Sequence, residues 1–354
     1  MKRVTIHDVA DAAGVSLATV DRVLNGRPGV RKTTIEKVNR AVATLDYKPD
    51  VFAAGLAKKR LYRFHFLIPN GPNAFMEDLT REALSHARSM SGDRMHVHVE
   101  PIDAFDGHRV AGTLALLDPS VCDGVAVVAP AFPEVRASID RLQDRGVPVV
   151  TLVSDHPASA RQHFVGIDNM AAGRTAGRLL GRFLPASPAK VGVLAGSLGL
   201  RDHAERHDGF REVIEQDFPH LQLLKVREGR DDNSRNKDVV GRIIAEHPDL
   251  AGLYNIGAGN RGTIAALTAS GRASEIVFVG HELTPYTREA LQASVLDAVI
   301  AQDPGHEIRS AIRILKALCD KMPIIEGQER IGIDVFVKDN LPDDTNQSAP
   351  QPAS

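Results

Sequence analysis

From Arg63 onward the sequence alternates short, continuous apolar runs with amphipathic stretches, and this alternation constrains the fold more than any other feature. The runs are Phe64–Pro69, His96–Pro101, Gly124–Val128, Pro148–Val153, Val165–Ile167, Val191–Ala195, Leu221–Val226, Gly252–Asn255, Ile276–Gly280 and Ala298–Ala301. Apolar runs recurring every ~20–30 residues, with helical patterns between them, predict parallel strands joined by right-handed crossovers. Ten such units exceed one ordinary doubly wound sheet, so the pattern predicts two α/β lobes. With 354 residues, 43% hydrophobic and 25% charged, the chain has length and apolar content for a large buried core. Two cysteines, Cys122 and Cys319, exclude a disulfide scaffold, and both read as packing thiols.

The first sixty residues differ in pattern and in charge. They hold 12 Lys and Arg against 6 Asp and Glu, whereas the other 294 residues hold 31 against 39. The formal total of −2 thus conceals a basic N-terminal piece of the kind that binds phosphates. Thr5 and Asp8 predict a capping box opening a helix with Ile6, Val9, Ala10 and Ala13 inward, and Gly14 stops it. Ser16 is placed to cap a second helix to about Leu24, with Val20, Val23 and Leu24 inward. Asn25-Gly26 and Pro28-Gly29 form a loop. Thr33 with Glu36 predicts a further capping box, and a third helix with Ile35, Val38, Val42 and Leu45 inward. Two helices joined by a short Gly-containing turn on a basic surface predict a helix-turn-helix, whose second helix enters the major groove. That exposes Leu17, Ala18, Asp21 and Arg22 to base edges, while Ser16, Thr19 and Asn25 reach phosphates. The Arg22 guanidinium fork matches guanine O6 and N7 together.

Val4-Thr5-Ile6-His7-Asp8-Val9-Ala10, Ala13-Gly14-Val15-Ser16, Thr19-Val20-Asp21-Arg22-Val23-Leu24-Asn25 and Leu45-Asp46-Tyr47-Lys48-Pro49-Asp50 resemble the headpiece of the lac repressor family, in order over about sixty residues. Asp21 stands where Ser is usual, Asp50 where Asn is usual, and Ala54-Gly55 replaces a common polar pair. The resemblance implies a hinge helix within 50–60 that folds on DNA and inserts Leu56 into the minor groove. An isolated helix this short is marginal, and Gly55 weakens it further, which suits folding on contact. It also implies a periplasmic sugar-binding-like core whose chain crosses between lobes three times. The expected organisation is therefore a small all-α helix-turn-helix headpiece (1–49), a hinge (50–60), a two-lobed effector-binding and dimerisation core (61–340) and a disordered tail (341–354). The tail has no leucine heptads for a coiled coil.

In open α/β sheets ligands bind beyond the carboxyl ends of strands. Carried over from the family by motif, Asn70, Phe75, Asp155, Arg206, Asn255, Glu282 and Gln302 are the expected effector ligands, with Phe75 as the apolar face for a sugar or polyol. Glu282 departs from the usual aspartate, and His281 precedes it. Gly257-Ala258-Gly259-Asn260-Arg261-Gly262 is a literal GxGxxG after a strand, with Glu282 twenty residues on, so a nucleotide-cofactor-dependent enzyme stands as the alternative reading. His203, His207, His281 and His306 lack metal-ligand spacing, so no metal is expected, and no cofactor or catalytic residue. No apolar run reaches transmembrane length and the first residues lack a signal-peptide core, so the expected setting is the cytoplasm. The expected protein is a homodimeric, effector-responsive repressor on pseudo-palindromic operator DNA.

Overall fold

A computed structural model describes residues 4–24, 28–45, 47, 61–89 and 94–343, without the side chain of Asp21. The expected roles of Asn25, of Leu56 and the 50–60 hinge, and of the tail beyond 343 lie outside the described residues. The chain divides into two units, Met1–Arg60 and Leu61–Ser354.

In the first unit, helix α1 (Ile6–Ala13) opens on the Thr5–Asp8 capping box and ends at Gly14, whose φ of 63° is left-handed. Helix α2 (Leu17–Leu24) starts at Ser16, whose Oγ accepts the Thr19 amide at 3.3 Å. Helix α3 (Lys32–Thr44) begins two residues earlier than the sequence predicts. Arg31 is its N-cap and makes no side-chain bond, so the expected Thr33–Glu36 capping box does not form: Thr33 already lies inside the helix. Val9, Val20 and Val38 are fully buried at the centre of this small core, with Ala10, Ala13 and Ala41 around them. Ile35, expected to face inward, is 36% exposed at the margin, and Ala41 fills the inward position instead.

The second unit contains two sheets. The first has the order β2-β1-β3-β4-β5, built from β1 (Tyr62–Pro69), β2 (Met95–Ile102), β3 (Gly124–Val127), β4 (Val149–Leu152) and β5 (His163–Val165), all parallel. Helices α4 (Ala74–Ser89), α5 (Gly107–Ala115) and α6 (Pro133–Asp144) follow its strands. The chain then passes through helix α7 (Asn169–Phe183) to the second sheet. Its strands are β6 (Ala189–Ala195), β7 (Leu221–Leu223), β8 (Arg227–Glu228), β9 (Leu250–Asn255), β10 (Val277–His281), β11 (Ala298–Ala301) and β12 (Asp334–Phe336). The order is β12-β11-β10-β9-β6-β7, with β8 also on β6. Helices α8 (Arg201–Asp217), α9 (Asn233–Glu246), α10 (Asn260–Ser270) and α11 (Pro285–Gln292) connect them.

After β11 the chain returns to the first lobe as helix α12 (Pro304–Asp320), which packs against the first sheet. It carries Ile308, Ala311, Ile312 and Leu315 into the core that holds Phe64 and Phe66. The Tyr62 hydroxyl donates to Asp320 there at 2.7 Å. The short helix Glu326–Glu329 follows, and β12 then pairs antiparallel with β11 in the second lobe, completing three crossings between lobes. Leu341, where a disordered tail was expected to begin, is partly buried against the second lobe's core. Cys122 is buried, whereas Cys319 is only partly so and its thiol donates to the Asp123 carbonyl.

Candidate functional site

The carboxyl ends of strands from both sheets border one cleft with about 810 Å³ of void space, open solvent at its mouth included. From the first lobe come Asn70, Asn73 and Phe75 after β1, Asp103 and Phe105 after β2, and Ser154 after β4. The second lobe supplies Asp202, His203 and Arg206 from α8, Arg230 and Asp231 after β8, Ala258 after β9, and His281 and Glu282 at the end of β10. Gln302 follows β11.

Arg206 is held in place by two helices in unusually close contact. A Cβ at Gly173 of α7 would lie 2.0 Å from the Arg206 carbonyl oxygen, and one at Gly209 of α8 would lie 2.2 Å from the Met170 carbonyl oxygen. Only glycine lets these backbones approach so closely. The buried guanidinium then donates through Nε to Asn169 Oδ1 at 2.8 Å and through Nη1 to the Ile256 carbonyl at 3.1 Å. No carboxylate among the described residues pairs with it.

Glu282 has a left-handed φ of 67° at the strand end. Its carboxylate accepts Gln302 Nε2 at 2.8 Å and the Gln302 amide at 3.4 Å. Burial nevertheless pushes its pKa up to about 7, against the opposing influence of Arg206 and Gln302. Glu307, in the first turn of α12, is fully buried, and neither of its carboxylate oxygens has a partner among the described residues. Burial and the nearby Glu282 hold its pKa well above the usual carboxylate range. Burial likewise keeps His281 neutral, and its Nε2 pairs with the Tyr254 hydroxyl at 2.8 Å. Tyr254 is in turn stacked on Phe210 at 4.5 Å. Across the cleft, the Arg230 guanidinium of the second lobe sits 4.8 Å above the Phe105 ring of the first, so this pair spans the two lobes.

Of the residues expected to bind an effector, Asn70, Phe75, Arg206, Glu282 and Gln302 line this cleft, and Asp155 and Asn255 do not. The Asp155 carboxylate is taken up by Thr151 Oγ1 at 2.6 Å, the His156 amide at 2.7 Å and Arg161 Nη2 at 2.7 Å, and its neighbour Ser154 reaches the cleft instead. Asn255 is fully buried and braces the following loop, donating to the Ala258 carbonyl and to Asn260 Oδ1. Asp202, Phe105 and Arg230 escaped the sequence reading, and His203 entered it only among the histidines without metal-ligand spacing. Asp202 and Arg206 carried a usable signal, because residues four apart share one helix face.

The glycine-rich loop is no phosphate cradle. The amide of Ala258 already donates to Asp231 Oδ1 at 2.9 Å, so a carboxylate occupies the place a phosphate would need. Its glycines are explained by packing: a Cβ at Gly262 would lie 1.8 Å from the Asn233 carbonyl oxygen, and one at Gly257 2.4 Å from Asp231 Oδ1. In the N-terminal unit, Ser16, Leu17, Ala18 and Arg22 are exposed and Thr19 is partly so. Leu17 is 39% exposed although apolar, while the Thr19 hydroxyl is hydrogen-bonded to Ser16 at 2.9 Å. Among the described residues no helix is long and apolar enough to cross a membrane.

Residues 5–50 match the family described as bacterial regulatory proteins, lacI family, and residues 67–322 match the periplasmic binding protein domain. The chain is 32% identical over 263 residues to catabolite control protein A of Streptococcus mutans, covering 71% of this chain and 75% of that one. It is 28% identical over 251 residues to the ribose operon repressor of Halalkalibacterium halodurans, covering 71% and 70%. In structure it is similar to the glucose-galactose binding protein GanP of Geobacillus stearothermophilus, with a TM-score of 0.71 at 21% identity over 80% of this chain and 99% of that one. A solute-binding protein of Burkholderia graminis in complex with D-arabinose also has a TM-score of 0.71, at 21% identity, covering 79% and 96%.

Proposed function

The chain belongs to the lacI family of bacterial regulatory proteins, and from that premise we propose that it is a homodimeric transcription regulator, a repressor of a sugar- or polyol-utilisation operon. The observation that carries this reading is the joining of two features in one chain. One is a helix-turn-helix with Leu17, Ala18 and Arg22 exposed on its second helix, and the other is a cleft of strand-end polar side chains between two α/β lobes. The names of the relatives, a catabolite control protein and a ribose operon repressor, support the same reading.

In this reading Arg22 reads a guanine, Leu17 and Ala18 contact base edges, and Asp21 borders them. Ser16, Thr19 and Asn25 reach phosphates. Residues 50–60 act as the hinge, and Leu56 from each subunit wedges the centre of a pseudo-palindromic operator. A sugar or polyol held by Asn70, Phe75, Arg206, Glu282 and Gln302 binds one arrangement of the lobes better than the other. That difference in affinity is what shifts the population of DNA-competent dimers. The Arg230–Phe105 contact favours the arrangement in which the lobes meet. No residue is assigned a catalytic role, and the site of action is the cytoplasm, where operator DNA lies.

The test is a mobility shift with duplexes enriched from random sequence by the wild-type protein. Arg22→Ala is expected to lose affinity by about 1–3 kcal/mol and to relax the preference at one base position. Leu56→Ala should bind without kinking the duplex centre. Wild-type-like binding by both variants would refute the mechanism.

A further inference from the structure

Residues 229–232, between β8 and α9, form a turn with an uncommon backbone. Arg230 and Asp231 stand consecutively in the left-handed region, with φ of 54° and 56°. Aspartate tolerates that region better than most residues with a Cβ, whereas arginine does not favour it. Such a conformation persists only where its surroundings over-determine it. Part of that constraint is the sheet. The Gly229 amide donates to the Ala195 carbonyl at 2.8 Å and the Arg230 amide to the Gly196 carbonyl at 2.9 Å, which carries the pairing of β8 with β6 into the turn.

The other constraint is the Asp231 side chain. Its Oδ1 accepts the Ala258 amide at 2.9 Å, so the turn after β8 is tied to the loop after β9. Two glycines make room for it, because a Cβ at either Gly196 or Gly257 would lie 2.4 Å from Asp231 Oδ1. The buried His203 ring closes the same notch, with its Cε1 2.6 Å and 2.9 Å from those two Cβ positions. His203 is itself fixed, since its Nδ1 accepts the Ser197 amide at 3.3 Å. Loops after β6, β8 and β9 of the second lobe thus meet at one carboxylate.

What this turn presents is Arg230. Among the described residues its guanidinium has no ion pair or side-chain hydrogen bond, and its contact is the Phe105 ring of the first lobe at 4.8 Å. Arg230 is exposed, and a cation–π contact at an exposed site is weak. It biases the lobes only if little freedom remains to be lost when the contact forms, which a fixed backbone ensures.

We propose that Asp231 is a positioning residue: seated in the Gly196–Gly257 notch, it holds the turn that aims Arg230 at Phe105, and so sets how firmly the two lobes are held together. It acts through Arg230 and needs no contact with an effector. Its consequence for DNA rests on the regulator reading above; its effect on the lobes does not.

The experiment is hydrogen exchange of the full chain, followed by mass spectrometry. The reporter is segment 103–107 of the first lobe, where the Phe105 amide donates to Asp103 Oδ1 at 2.9 Å. Strand β3 is the reference within the same lobe. Asp231→Ala removes the acceptor and should speed exchange at 103–107 roughly two- to fivefold, the size of an exposed cation–π contact, with β3 unchanged. Gly196→Ala, which drives a Cβ into the same carboxylate, should do likewise. Asp231→Asn keeps an oxygen for the Ala258 amide and tolerates the left-handed backbone, so it should exchange like wild type. In an Arg230→Ala background Asp231→Ala should add nothing at 103–107. Unchanged exchange there in Asp231→Ala overturns the proposal, as does a full further increase on top of Arg230→Ala. Equal acceleration of β3 also overturns it, because the carboxylate would then only stabilise the fold. Affinity for an enriched duplex, measured on the same preparations, keeps the two readings apart. Faster exchange with unaltered operator affinity counts against the coupling of lobes to DNA alone, and unchanged exchange counts against Asp231 alone.

Discussion

Replacing Gly173 by alanine is expected to destabilise the core even though alanine is the better helix former. The added Cβ would lie 2.0 Å from the Arg206 carbonyl oxygen, while ordinary contact begins near 3.4 Å, so α7 and α8 must separate locally by roughly 1.4 Å. Both sides of the clash are helix backbone, which cannot rotate away as a side chain does. Overpacking of this kind costs about 1–3 kcal/mol or more, and the gain in helix propensity of about 1 kcal/mol offsets only part of it. A net loss of about 2 kcal/mol corresponds to a fall in Tm of several degrees for a domain of this size. Gly241→Ala is the control. Gly241 is an exposed helical glycine with nothing within 4 Å of its Cβ position, so the same change there should stabilise by up to ~1 kcal/mol. Thermal denaturation of the two variants beside wild type decides the matter. A Gly173→Ala protein as stable as wild type would refute the close-packed geometry that positions Arg206.

Three further outcomes are expected. Glu282 is an acid whose pKa rises from 4.5 to about 7 on folding, so the native state holds more protons than the unfolded chain between these values. The stability contributed by protonated Glu282 is therefore lost as pH rises through that window; Glu282→Gln should flatten the pH dependence of chemical denaturation there, and an unchanged slope would contradict the assignment. A double-mutant cycle of Arg230→Ala and Phe105→Leu should give a coupling of roughly 0.5–1 kcal/mol in core stability, and strict additivity would mean that the two lobes do not meet through this pair. If the net charge of the first sixty residues reflects six neutralised phosphates, log affinity for duplex DNA should fall with log salt at a slope of about −5 per headpiece, and a flat salt response would exclude that charge as the source of binding.

Most strands of the core were readable because a parallel strand buried on both faces needs a continuous apolar run, whereas β5, expected at 165–167, lies at His163–Val165 and β7, expected over 221–226, ends at Leu223. Strands β8 and β12 were not readable, since Arg227-Glu228 and Asp334-Val335-Phe336 are too short to carry a pattern. Strand ends brought Asn70, Glu282 and Gln302 to the cleft because such ends converge in any sheet of this kind. They misled at Asp155 and Asn255, where the side chain turns back to brace its own loop, and nothing in the local sequence records which way it turns. The Arg230–Phe105 contact joins residues far apart in the chain, and the left-handed φ of 54° at Arg230 that aims it has no mark of its own. In the N-terminal unit, capping chemistry located α1 and α2 correctly, but at α3 it favoured Thr33 over the Arg31 start that the packing selects.

The central claim, that this chain reads DNA and answers to a small molecule in its core cleft, is tested most directly by one titration. The full chain is bound to a duplex enriched from random sequence, with and without a sugar or polyol that binds the core. The account predicts tight, sequence-selective binding whose affinity changes at least severalfold when that compound saturates the cleft, in either direction. Equal affinity for enriched and random duplexes, or an operator affinity indifferent to a saturating cleft ligand, would contradict it.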